Sequence, residues 1–125
     1  MRILIIQGTI SLEYPSGELS VISSEKSQLK KRHTVQVDLI KAKTYSGALL
    51  ILSVFNILWS WRNYRKVVRS IEEFKPDIIH FHTITPYLSI STLMAAKKNK
   101  IPVVKTLHNE RWLCVEGGFY RNGKY

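Results

Sequence analysis

Acidic residues and cysteine are both scarce in this sequence. Nine aspartates and glutamates face nineteen lysines and arginines, so the 125-residue chain carries a formal net charge of +10. A surplus of that size draws a protein toward polyanions, whether anionic lipid, nucleic acid or phosphorylated substrates, without choosing among them. The single cysteine, Cys114, excludes an internal disulfide framework and suits a reducing cytosol. A long hydrophobic run is lacking too. The uncharged, apolar stretch of residues 44–61 is interrupted by Ser46, Gly47, Ser53, Asn56 and Ser60. It falls short of the roughly 20 apolar residues a spanning helix needs, so it is expected to lie in a core or against a membrane surface. The opening "MRILIIQG" has too short an apolar run for a signal peptide and no small-residue cleavage site. A cytoplasmic protein is expected, peripheral at the inner face of the plasma membrane where it meets lipid at all.

Several chemical signatures are missing as well. Gly8 and Gly17 are too far apart for a dinucleotide-binding fingerprint, and no phosphate-cradling P-loop occurs. No Ser-His-Asp or Cys-His arrangement supports covalent hydrolysis. Internal repeats and low-complexity segments are also lacking.

What is there fits one globular domain over residues 1–125, with 45% hydrophobic and 22% charged residues. Residues 2–7 form a continuous apolar run, as in a parallel strand covered on both faces. Residues 8–17 read as a loop. Residues 18–32 read as a helix, with glutamates early and lysines late, and with Leu19, Ile22 and Leu29 turned inward. Residues 34–40 alternate as a second strand. A long helix is expected over residues 48–74, with Tyr64, Val67, Val68, Ile71 and Phe74 on one face and Arg62, Arg65, Lys66 and Arg69 around it. Pro76 ends it. A strand over 78–82, a helix over 88–98 and a strand over 101–107 follow, and the chain becomes loop-like and aromatic beyond His108.

This alternation predicts an α/β fold, a Rossmann-like parallel sheet with helices on both faces. Right-handed crossovers give the strand order 2-1-3-4. Ligands of such sheets bind outside the carboxyl ends of the strands, beside the reversal between strands 1 and 3. Three loops emerge there: 8–17, 82–87 and 108 onward.

Each loop supplies candidates. Ser16 and Gly17 precede Glu18 at a helix start, where free N–H groups suit a phosphate or a sugar hydroxyl; plain helix capping is the alternative. His80 and His82 share one face of the third strand, but no acidic residue or cysteine at ligand spacing completes a metal site. His82 is expected at the crevice and His80 deeper, as a hydrogen-bonded core residue. His108 ends the fourth strand, where it can donate to a substrate hydroxyl or merely tie down its own turn. Asn109 and Arg111 add donors for hydroxyls or phosphates.

Taken in order, "MRILIIQGTI", "PSGE", "KKRHTVQVDL", "FKPDIIHFHTITPYLS" and "IPVVKTLHNERWLC" resemble the N-terminal, acceptor-side domain of family 4 glycosyltransferases of the GT-B fold. The resemblance covers nearly the whole chain. It implies a retaining, metal-independent hexosyltransferase with no cofactor, whose co-substrate is a nucleotide sugar and whose acceptor is a saccharide or a lipid-linked saccharide of polysaccharide synthesis. It further implies that His108 contacts the donor sugar and helps stabilise the reacting centre. Ser16 and Gly17 then approach the donor phosphates or the acceptor, and His82 and Thr83 line the cleft.

The sequence departs from the family pattern in places. Arg32 stands where relatives usually carry a glycine, a position that often needs a left-handed backbone, unless a one-residue deletion shortens the turn instead. Ser16 stands where a second glycine is common. The nucleotide-binding half has no counterpart before Tyr125, so this chain is expected to be an incomplete front half, inactive alone and needing a C-terminal domain in cis or in trans. The rival expectation is a non-catalytic basic α/β binding module. Nucleic acid is the less favoured partner, because the cations are spread over several helices and aromatics are not interleaved with them. An anionic membrane surface remains an expected partner for the basic, Trp-bearing helix region.

Overall fold

In the computed structural model of the chain, which describes residues 1–9, 17–41, 58–84 and 88–108, the strands pair in parallel. The elements are β1 (Arg2–Thr9), α1 (Gly17–Leu29), β2 (Thr34–Lys41), α2 (Trp61–Phe74), β3 (Ile78–Phe81), α3 (Ser91–Lys98) and β4 (Val103–Lys105). The sheet order is β2-β1-β3-β4, as the crossover rule required. Ile5 lies opposite Val37 on one side and His80 on the other, and His80 lies opposite Val104. The β1–β3 ladder runs on past β3, with His82 N–H donating to Ile6 O (3.1 Å) and Gly8 N–H to Thr83 O (3.1 Å).

Alternation along the two central strands separates two cores. Leu4, Ile6, Ile79 and Phe81 face Val67 and Ile71 of α2 and Ala95 and Ala96 of α3. Ile3 and Ile5 face Ile22 of α1, with Leu19, Leu29 and Ile78 packed alongside. The sheet is therefore covered on both faces, which is why β1 reads as unbroken apolar sequence. Further up the strands, toward their carboxyl ends, the α1 face changes character: Gln7, His80 and His82 replace aliphatic residues.

Two expectations need correction. The helix expected over 48–74 is interrupted at Ser60, which has an extended backbone (φ −137°, ψ 105°) and whose Oγ accepts from Asn63 N–H at 3.3 Å. A serine in that role satisfies an orphan donor and starts a new helix. It also joins the starts of two helices, since Ser91 Oγ donates to Ser60 O at 3.0 Å. Residues 48–57 of the expected helix lie outside the described residues. The second correction concerns Arg32. It adopts no left-handed backbone; among the described residues only Lys75 (φ 48°) and Lys100 (φ 56°) are non-glycine residues with positive φ. Helix α1 ends at Leu29, three residues before the expected end, and a tight turn closes with Arg32 N–H and His33 N–H both donating to Leu29 O (3.1 and 2.9 Å). That geometry needs no glycine. Lys75 is the residue that ends its helix left-handed, donating its N–H to Ile71 O at 2.7 Å just before Pro76.

Candidate functional site

The strand order reverses between β1 and β3, and the carboxyl ends of both strands meet the first turn of α1 there. Glu18 is the hub of that junction. Its Oε2 accepts from Gln7 Nε2 (2.7 Å) and from Thr83 Oγ1 (2.8 Å). The Gln7 amide spends its remaining capacity on the backbone, donating to Gly8 O (2.8 Å) and accepting from Thr83 N–H (2.9 Å). Gln7 and Thr83 are both buried, and a buried amide left unpaired is expensive, so these bonds fix the α1 N-terminus over the sheet. Gly17, one residue earlier, is exposed, and a Cβ built on it would meet nothing within 4 Å. Internal packing therefore does not demand a glycine here.

Below that hub lies a histidine cluster. Glu25 reaches down from α1 to place Oε1 2.7 Å from His80 Nδ1 and Oε2 3.0 Å from His82 Nε2. The second approach lies off the line of a ring N–H, so His82 Nε2 is buried without a hydrogen-bond partner. On its far side each ring is tied to the segment after β4: His80 Nε2 to Thr106 Oγ1 and His82 Nδ1 to His108 Nε2, both at 2.8 Å. Burial holds the His82 imidazole below its ordinary 6.5, with His80 adding to the effect and the Glu25 carboxylate opposing it. At the end of β4, burial lowers the Lys105 ammonium to about 8.

The two-nitrogen chain through His82 has two tautomeric settings. With the proton on His82 Nδ1, that ring donates to His108 Nε2, and the outer nitrogen of His108 carries a proton it can donate. With the proton on His108 Nε2, the outer nitrogen of His108 becomes an acceptor, and His82 carries its own proton on Nε2, on the side of Glu25. A histidine supported in this way is suited to exchanging a hydrogen bond with a sugar hydroxyl.

Of the residues singled out from sequence, Gly17, His82, Thr83 and His108 come together at this junction. Ser16, Asn109 and Arg111 lie outside the described residues. His82 and Thr83 are 1% and 5% exposed, so they offer little surface of their own; His82 supports His108, and Thr83 supports Glu18. The expected depth order is reversed, since the His80 side chain is 13% exposed and that of His82 only 1%. The expectation that no acidic residue completes the histidine pair also fails. Glu25, His80 and His82 bring one ligand atom each to within 4.8 Å of one another, a set able to hold a metal ion. Sequence reasoning missed Gln7, Glu18, Glu25 and Thr106. A signal for the glutamates was present: Glu18, Ile22, Glu25 and Leu29 recur at helical spacing on one stripe. The apolar members of that stripe are the inward ones, so its carboxylates face the sheet as well.

The family model for Glycosyltransferase Family 4 matches residues 18–122, well over half of the chain. This chain belongs to glycosyltransferase family 4. The four-stranded parallel sheet with helices on both faces is the Rossmann-like half of a GT-B fold, and a glycosyltransferase-type role follows from membership. Searches of curated proteins and of solved structures gave no match.

Proposed function

We propose that this family 4 domain is the acceptor-side half of a retaining glycosyltransferase. The reaction would move a hexose from a nucleotide sugar to a saccharide or lipid-linked acceptor in polysaccharide synthesis. The observation that carries this reading is His108, held on buried His82 beside the Glu18 hub where the sheet order reverses. Sugar recognition asks for donors and acceptors fixed in advance, because only preorganised groups avoid an ordering cost on binding. Both ends of this junction meet that condition. The donor-binding half would come from elsewhere in the same protein or from a second chain, and the transfer itself needs no metal or cofactor in this reading.

The test is a pair of NMR titrations of the chain. One uses mono- and disaccharides with and without a pyrophosphoryl-lipid aglycone; the other uses UDP- and GDP-hexoses. Shifts of Gly17, Glu18 and His108 with an acceptor, and weak or no response to the nucleotide sugars, are expected. Tight nucleotide-sugar binding with no saccharide response would reverse the assignment of halves.

A second observation bears on where the acceptor is met. Leu58, Trp59 and Trp61 are exposed (55%, 42% and 61%) at the start of α2, and the exposed Arg62, Arg65, Lys66 and Arg69 follow. Exposed tryptophans beside cations suit the headgroup level of an anionic bilayer, where a lipid-linked acceptor resides. Docking at the inner face of the plasma membrane is therefore part of the proposal. Among the described residues no helix is long and apolar enough to cross a membrane. The alternative, a basic module for nucleic acid, is less well supported. Trp59, Trp61 and Tyr64 pack on one another with centroids 5.5–6.0 Å apart, which leaves few separate platforms for stacked bases.

A further inference from the structure

We propose that Glu25, His80 and His82 form a binding site for a divalent transition-metal ion, Zn²⁺ in the first instance, that clamps α1 to β3. Nothing in the transfer reaction calls for this ion. Its warrant is the way in which donors from α1, from β3 and from the residue just after β3 converge.

The donor atoms are His80 Nδ1, His82 Nε2 and the Glu25 carboxylate, all within 4.8 Å of one another. Histidine ligands of a metal almost always donate their other ring N–H to an outer partner, which fixes the tautomer and turns the bare nitrogen inward. Both rings have such a partner. His80 Nε2 meets Thr106 Oγ1 and His82 Nδ1 meets His108 Nε2, each at 2.8 Å. In that setting both inward nitrogens present lone pairs to a carboxylate, three negative ends facing one another. A cation bound between them would satisfy all three. His82 Nε2 is buried, aimed into this space, and unpartnered.

Imidazole and carboxylate donors together suit Zn²⁺ and its borderline neighbours better than Mg²⁺ or Ca²⁺, which prefer oxygen ligands. Ligands about 2.1 Å from a tetrahedral Zn²⁺ stand about 3.4 Å apart. The Glu25 oxygens lie 2.7 and 3.0 Å from the two ring nitrogens, so reaching that spacing takes an outward movement of the carboxylate of roughly half an ångström and a matching adjustment of the two rings. The Glu25 side chain is 25% exposed, which leaves it room for that movement. Three protein ligands leave one coordination position for water. Binding would also fix the His82–His108 chain in the setting in which the outer nitrogen of His108 is a donor.

The experiment is competition for Zn²⁺ between the metal-stripped chain and a chromophoric chelator at pH 7.5, in a Cys114→Ser background that removes the thiol. One equivalent is expected to bind with Kd on the order of 1 μM or tighter. Co²⁺ in its place should give the intense visible absorption of a four-coordinate ion. Glu25→Gln and His80→Gln should each weaken binding by about 100-fold or more, and His108→Asn, which loses only the outer partner, by about 10-fold. His33→Gln, remote from the cluster, should change nothing. Circular dichroism checks that each variant is folded, and the partial exposure of Glu25 makes E25Q the variant that decides if a histidine variant unfolds. No binding, or binding that E25Q leaves unaltered, overturns the site.

Discussion

Oε2 of Glu25 lies 3.0 Å from Nε2 of His82, yet that nitrogen has no hydrogen-bond partner. The pair sets a carboxylate beside a neutral imidazole beneath α1, with His80 and His108 on the other sides of the ring. The consequence is a dependence of stability on pH. Burial keeps the folded-state pKa of His82 below 6.5, so between those two values the unfolded chain binds a proton that the folded chain refuses. The stability associated with a neutral His82 is complete above pH 6.5 and is lost as pH falls below it. The slope from one proton is at most about 1.4 kcal/mol per pH unit. Urea midpoints of the metal-free protein at pH 7.5, 6.5 and 5.5 should fall in that order, and His82→Gln should flatten the lower part of the trend. An equal slope in H82Q would assign the effect to another group.

Much of this architecture was legible in the sequence because it rests on periodicity. The unbroken run in β1, the alternation in β2, and Val67, Ile71 and Phe74 at helical spacing each mark the surface they bury. Once the crossovers take their usual hand, the strand order follows and locates Gly17, His82 and His108 at one end of the sheet. Glu18 and Glu25 were hidden for a physical reason. A glutamate in a helix reads as solvated or as complementing the dipole unless something buried answers it, and the answering Gln7 and His80 lie on other elements. The break at Ser60 was hidden too, since a serine inside an apolar stretch and a serine capping a new helix look alike until the backbone declares itself.

Glu18 should matter to stability more than a first-turn glutamate normally does. Replacing it with alanine takes away the shared acceptor of Gln7 Nε2 and Thr83 Oγ1, both in buried residues. A buried donor without a partner costs about 1–3 kcal/mol. Glu18→Ala should therefore lower the unfolding free energy by an amount in that range, whereas Glu18→Gln, whose amide oxygen still accepts, should lose less. A loss below 0.5 kcal/mol on this order-of-magnitude scale would mean that water replaces the carboxylate at no cost. Denaturant titration with both variants decides.

At Gly17, packing and ligand approach can be told apart. A methyl group there meets nothing within 4 Å, and alanine is the better helix former by about 1 kcal/mol in a helix interior, less in a first turn. Gly17→Ala should thus leave thermal stability unchanged or slightly raised. If the loop receives a sugar hydroxyl or a phosphate at close range, the same methyl should weaken saccharide binding several-fold. Unchanged affinity in a variant of unchanged stability would remove Gly17 from the binding surface.

The exposed tryptophans of the α2 start make the membrane proposal quantitative. Trp59 and Trp61 stand edge to face with centroids 5.5 Å apart, a pair that a bilayer interface would cover. A basic residue near an anionic surface contributes about 1 kcal/mol, so Arg65→Ala with Lys66→Ala should lower the partition coefficient about thirtyfold. Trp61→Ala should lower it on neutral and anionic vesicles alike, since its contribution is burial of apolar surface. Raising the salt should mimic the double charge variant but not the tryptophan variant, because screening reaches the cations and leaves apolar burial untouched. Sedimentation with vesicles of zwitterionic lipid, with and without anionic lipid, supplies both arms. Binding that ignores the anionic component would remove the charges from the contact, and binding to neither vesicle would leave the tryptophans to a protein partner.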